Sequence, residues 1–140
     1  MNDKTFIDSN VLIYAHDLDA GAKHQKAADL LESLWNENRG VLSTQVLQEF
    51  YVNVTRKIAR PLPRRTAREI VDAYGTWSVD ITPAELKAAF HIEDDARISF
   101  WDALIVAGAL KAGAHRILSE DLNARQLISG IRIENPFVPA

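Results

Sequence analysis

A chain of 140 residues, 47% of them apolar, has the size and composition of one globular domain and leaves no room for a large accessory domain. With no cysteine it can form no disulfide, thiolate metal site or cysteine nucleophile. The formal charge of −3 argues against a surface that binds nucleic acid indiscriminately, and without a run of 18 apolar residues no membrane span is expected.

The N-terminal stretch MNDKTFIDSNVLIYA lacks a basic region followed by a long apolar run, so it makes a poor signal peptide. A cytoplasmic protein is the expectation. Thr5–Ile7 opens a short buried strand, and the polar triplet Asp8-Ser9-Asn10 stands at its C-terminal end, where a helix or turn can begin. Ala27, Leu30, Leu31, Leu34 and Trp35 recur at helical spacing across 23–38, and Gly40 ends that helix. Val41-Leu42-Ser43 reads as a second strand. Residues 45–58 read as a helix with Val46, Leu47, Phe50, Val54 and Ile58 on one face, broken by Pro61 and Pro63.

Residues 64–74 are helical by pattern, and 77–81 form a third strand candidate. Thr82, Pro83 and Glu85 make a capping box for a helix running to about Asp95. Ser99 starts another helix, the apolar ALIVAGAL, which Gly113 ends. Strand candidates at 116–119 and 131–134 bring the number to five. Short strands alternating with helices predict an α/β fold, a three-layer α/β/α sandwich around a parallel five-stranded sheet.

In such a sheet functional groups gather at the carboxyl ends of the strands. Asp8 ends the first strand and Asp121 follows the strand RILS, so both are candidates for one sheet edge. Asp102 lies in the first turn of its helix, where free N–H groups stabilise a carboxylate. It either caps that helix or faces the cleft. Glu49 borders the buried face of its helix beside Phe50 and is by position either solvated or turned into a cleft. Clustered carboxylates repel one another, and a hard divalent cation removes the penalty. One ion or two fit the sequence equally.

Between Arg56 and Arg68 stand six basic residues (Arg56, Lys57, Arg60, Arg64, Arg65, Arg68) and no acid. They read as a solvated face or as phosphate contacts. Phe100 and Trp101, beside Asp102, read as core or partner contacts, with base stacking as the other option. His16, His24, His91 and His115 are scattered without metal-binding spacing. Neither GxxxxGK[ST] nor GxGxxG occurs.

The segments FIDSNVLIYA (6–15), STQVLQEFYVNVTRK (43–57), SFWDALIVAGALKAG (99–113), ILSEDLN (117–123) and IENPF (133–137) together resemble the PIN-domain family. Within it they resemble the VapC-like toxin ribonucleases of type II toxin–antitoxin pairs. The resemblance implies one PIN-like nuclease domain over 1–140, in which Asp8, Glu49, Asp102 and Asp121 coordinate Mg²⁺ or Mn²⁺ and catalyse hydrolysis of RNA. It places Ser9, Asn10, Ser119 and Asn123 behind these acids. Some relatives carry a further acid where this chain has Asn123, which leaves the ion count open. RNA as substrate, a cognate antitoxin and a homodimer follow from the same resemblance. The rival reading is an RNA- or protein-binding domain that keeps the acidic cleft without turnover. A phosphatase-like reading, with Asp8 as nucleophile, lacks the expected DxD start because position 10 is Asn.

Overall fold

The computed structural model describes residues 4–124 and 126–138. The first three residues, Arg125 and the end of the terminal NPFVP segment lie outside it. The elements run β1 (Thr5–Ile7), α1 (Ser9–His16), α2 (Ala22–Glu37), β2 (Gly40–Ser43), α3 (Thr44–Arg56), α4 (Arg64–Tyr74), β3 (Ser78–Val79), α5 (Pro83–Ala96), α6 (Phe100–Lys111), β4 (Arg116–Leu118), β5 (Leu127–Ile128) and β6 (Ile131–Glu134). The sheet order is β3-β2-β1-β4-β6-β5, and every pair is parallel except β5 with β6.

The expected α/β architecture is present, with two corrections. The sheet has six strands, because β5 hairpins back onto β6 through Ser129 and Gly130, whose φ angles are 52° and 81°. Two consecutive positive φ values match the twist of a tight hairpin, and two residues of strand are too short to leave a periodic signal. The third strand is also shorter than 77–81. Trp77 belongs to a single 3₁₀ turn and is buried against the sheet.

The central strand β1 is buried at every position, as a parallel strand covered on both faces must be. Phe6, Ile7, Leu42, Ile117 and Ile133 form the sheet's share of the core. Helix α6 is buried from Ala103 through Ala109, which accounts for its lack of a polar face. Gly108 lets it ride close to β2: a Cβ there would stand 3.2 Å from Ser43 Cβ. Ser43 in turn caps α3 by accepting from the Val46 amide. This close approach brings the start of α6 and the first turns of α3 to the carboxyl end of the sheet.

Candidate active site

Ile7 of β1 pairs with Leu118 of β4, so the next residues, Asp8 and Ser119, emerge side by side at the sheet edge. Asp8 is both the end of the strand and the N-cap of α1. Its Oδ1 accepts from the Ser9 amide at 2.7 Å, and its Oδ2 accepts from the Ser119 hydroxyl at 2.7 Å. Asp8 is only 4% exposed. Burial pushes its carboxyl up to about 7, the bonds from Ser119 and Ser9 oppose that rise, and the charges of Glu49 and Asp121 add to it.

Ser119 is fully buried and serves as a hub: besides donating to Asp8 it accepts from the amides of Asp121 at 3.1 Å and Leu122 at 3.3 Å. Asn10 spans the same loop. Its Nδ2 donates to Asp121 Oδ2 at 3.1 Å, and its Oδ1 accepts from the Glu120 amide at 3.1 Å. Asp121 is exposed at the mouth of the cleft. Asn123 is exposed and joins none of these bonds.

Glu49 and Asp102 approach from the helices. Glu49 is half-buried in the second turn of α3. Burial raises its carboxyl, a hydrogen bond with the Ser9 side chain lowers it, and the charges of Asp102 and Asp121 raise it further. Asp102 sits in the first turn of α6, where its amide donates to Ser99 Oγ at 3.1 Å, so Ser99 is the cap. Its carboxyl is raised by burial, lowered by the hydrogen bond with Ser99 and raised by Asp121. Asp121 thus repels each of the other three acids, and Glu49 repels Asp8. Each of the four therefore lies within electrostatic reach of at least two of the others.

Among the described residues, no three acidic or histidine side chains close on one point as tightly as a single ion requires. The chemistry of the donors nevertheless suits a hard divalent cation. Carboxylate, hydroxyl and amide oxygens lie together here, and Asp8, Glu49 and Asp102 are raised by burial and by neighbouring negative charge, a penalty that positive charge relieves.

The basic residues have divided placements. Arg60 is engaged by Asp19, with Nε and Nη2 each 2.8 Å from a carboxylate oxygen. Arg65 pairs with Glu69 at 3.5 Å one helical turn on. Arg68 Nε donates to the Tyr51 hydroxyl at 3.2 Å. Arg56 ends α3 and Arg64 begins α4, both exposed. Arg56 lies two turns beyond Glu49 on the same stripe of α3, roughly 10 Å along the axis. Trp101 is 64% exposed and so is no core residue, whereas Phe100 packs partly against the core.

Sequence reasoning passed over Glu120. Its Oε1 accepts from the Tyr14 hydroxyl at 2.7 Å and its Oε2 pairs with Lys23 Nζ, both on the side away from the cleft. No periodic signal could have found it, because residues 120–122 form a bend after β4 rather than a strand, and the partners of Glu120 lie on distant helices.

Fold and site together define an α/β domain with an acidic cleft at the carboxyl edge of its sheet. The chain belongs to the PIN-domain family, whose model matches residues 5–128. No curated protein sequence matches it significantly. Among solved structures it is similar to FitAcB from Neisseria gonorrhoeae, at 16% identity and a TM-score of 0.68 over 95% of this chain and 98% of that one. It is similar to a toxin–antitoxin complex from Klebsiella pneumoniae, at 17% identity and a TM-score of 0.67 over 96% and 98%. A third is the sarcin–ricin-loop-cleaving toxin VapC20 from Mycobacterium tuberculosis, at 20% identity and a TM-score of 0.60 over 84% and 90%. At these identities the likeness concerns the fold.

Proposed function

We propose that this protein is a divalent-metal-dependent endoribonuclease, the toxin of a toxin–antitoxin pair. The observation that carries the proposal is the convergence of Asp8, Glu49, Asp102 and Asp121, from four separate elements, on one cleft where each is repelled by at least one other. Mg²⁺ or Mn²⁺ held by these acids would supply the charge that orients a water and offsets the negative charge of a transferring phosphoryl group. The chain's own groups prepare that cleft. Ser9 and Ser119 fix both oxygens of Asp8, Asn10 ties Asp121 to the loop, and Ser99 sets the first turn of α6 that carries Asp102.

Arg56, Arg64, Arg65 and Arg68, on α3 and α4, hold phosphates away from the scissile one. Arg60 contributes less, since its guanidinium is held by Asp19. The toxin–antitoxin complex from Klebsiella pneumoniae among the structural relatives supports a cognate antitoxin as partner, and a homodimer is the assembly proposed with it. Among the described residues no helix is long and apolar enough to cross a membrane, and a cytoplasmic site of action is part of the proposal.

The test is cleavage of RNA by the purified protein with added Mg²⁺ or Mn²⁺, against chelator, for wild type and for Asp8→Asn and Asp102→Asn. Metal-dependent cutting that both substitutions abolish, with the fold intact by circular dichroism, is the expected result. Normal cutting by both variants rejects the assignment. The second reading, a binding domain without turnover, draws support from the open spacing of the acids. RNA binding without metal-dependent cleavage would favour it.

A further inference from the structure

Three adjacent residues, Ser119, Glu120 and Asp121, divide their side chains between two environments. Ser119 and Asp121 join the polar network around Asp8. Glu120 turns outward, where Tyr14 of α1 donates to one carboxylate oxygen and Lys23 of α2 pairs with the other. Lys23 also lies over two aromatic rings, 5.1 Å from the centroid of Tyr14 and 5.8 Å from that of Phe137, and those rings meet edge to face at 5.1 Å. The pair of helices therefore grips one carboxylate in the loop that bears Asp121, and Phe137 after β6 packs against the two gripping side chains.

We infer that Glu120, held by Tyr14 and Lys23, is a positioning residue that fixes the Asp121 carboxylate for cation binding; the inference rests on the nuclease reading above. The need for such a clasp follows from exposure. Asp8 is buried and bonded at both oxygens, whereas Asp121 is exposed and, among the described residues, its carboxylate accepts its hydrogen bond from Asn10. Its backbone is anchored on the cleft side by the hub at Ser119 and, one residue earlier, by the amide of Glu120 on Asn10. A loop held on one side can still pivot. The outward grip on Glu120 supplies the second point, and two points on opposite sides of the chain set the direction of the next side chain. Groups that orient metal ligands carry effects of about 10–100-fold on metal affinity when removed.

The variants are Glu120→Gln, Tyr14→Phe and Lys23→Met, which keep side-chain volume while weakening the grip. Two measurements are made on each. Amide hydrogen exchange by NMR at Glu120, Asp121 and Leu122 in metal-free protein reads the clasp itself. Titration with Mn²⁺ alone, followed by calorimetry, reads its consequence. Faster exchange at these amides is expected, with a melting temperature close to wild type. Affinity for Mn²⁺ should fall by about tenfold for Glu120→Gln and less for the other two. Excess Mn²⁺ should restore cleavage, and KM for RNA should stay unchanged.

Unchanged exchange in all three variants overturns the clasp, whatever the metal does. Faster exchange with unchanged Mn²⁺ affinity overturns its role in placing Asp121. Wild-type protein that binds no Mn²⁺ overturns the metal reading and the positioning role with it, while the exchange data still judge the clasp.

Discussion

The two sides of the cleft are built differently. On the strand side, Asp8 and Asp121 are fixed by β1–β4 register and by a closed set of hydrogen bonds through Ser119 and Asn10. On the helix side, Glu49 and Asp102 project from α3 and α6, and their placement follows from how those helices dock. The strand side is therefore specified by partners that a single substitution can remove. The helix side is specified chiefly by helix packing, to which single hydrogen bonds from Ser99 to Asp102 and from Ser9 to Glu49 are added.

The largest effect should come from Asp8→Asn. On the reading above, cleavage falls by at least about a hundredfold, more than the usual cost of losing a group that merely supports a metal ligand. The same substitution should stabilise the metal-free protein. A carboxyl raised from 3.8 to about 7 takes up a proton on folding between those values. Stability is then highest below the lower value, falls as pH rises through the window, and levels off above the upper one. Each unit corresponds to about 1.4 kcal/mol, so the fall is on the order of a few kcal/mol. Melting curves from pH 5 to 8 should slope downward for wild type and flatten for Asp8→Asn.

Two serines sharpen the contrast further. Ser119→Ala strips a donor from a buried carboxylate and an acceptor from two amides, and should cost about 2 kcal/mol in denaturant unfolding. Ser99→Ala removes an exposed helix cap and its hydrogen bond to the partly buried Asp102 carboxyl, and should cost about 1 kcal/mol. Equal costs at both positions would erase the distinction between the two sides. The smallest effect belongs to the basic face. Replacing Arg64, Arg65 and Arg68 together should weaken RNA binding, and each lost phosphate contact should flatten the salt dependence by about 0.7 in logarithmic slope. A binding series in increasing salt measures it, and an unchanged slope removes these residues from the interface.

The same division governs what the sequence discloses. Strand ends and caps are local signals. Asp8 after an apolar triplet, Ser99 three residues before Asp102, and Thr82 with Glu85 can all be read from neighbours in the chain, and the structure shows the capping box at Thr82 and the cap at Ser99. Glu49 is different. On its own helix it is a boundary residue, and only the docking of α3 beside α1 and α6 turns it toward the others. The resemblance to a known family, not periodicity, singled it out. The β5–β6 hairpin left too short a pattern, and Arg60 could not be seen to meet Asp19 because the partner lies 41 positions earlier on another loop. Trp101 read as a core or partner contact, and its exposure in the first turn of α6 removes the core option and leaves the others.

The central place of β1 has a consequence for synthesis. Asp8 is made before one of the two strands that flank it, β4, and the hydroxyl that restrains it lies 111 residues further along the chain. Contacts so far apart in the chain form late and slowly. A nascent polypeptide that still lacks β4 has three of the four acids but neither Ser119 nor Asp121 to organise them. The acidic cleft is thus completed only once the segment 111 residues downstream of Asp8 has been made, which makes its assembly a late event in the folding of the domain.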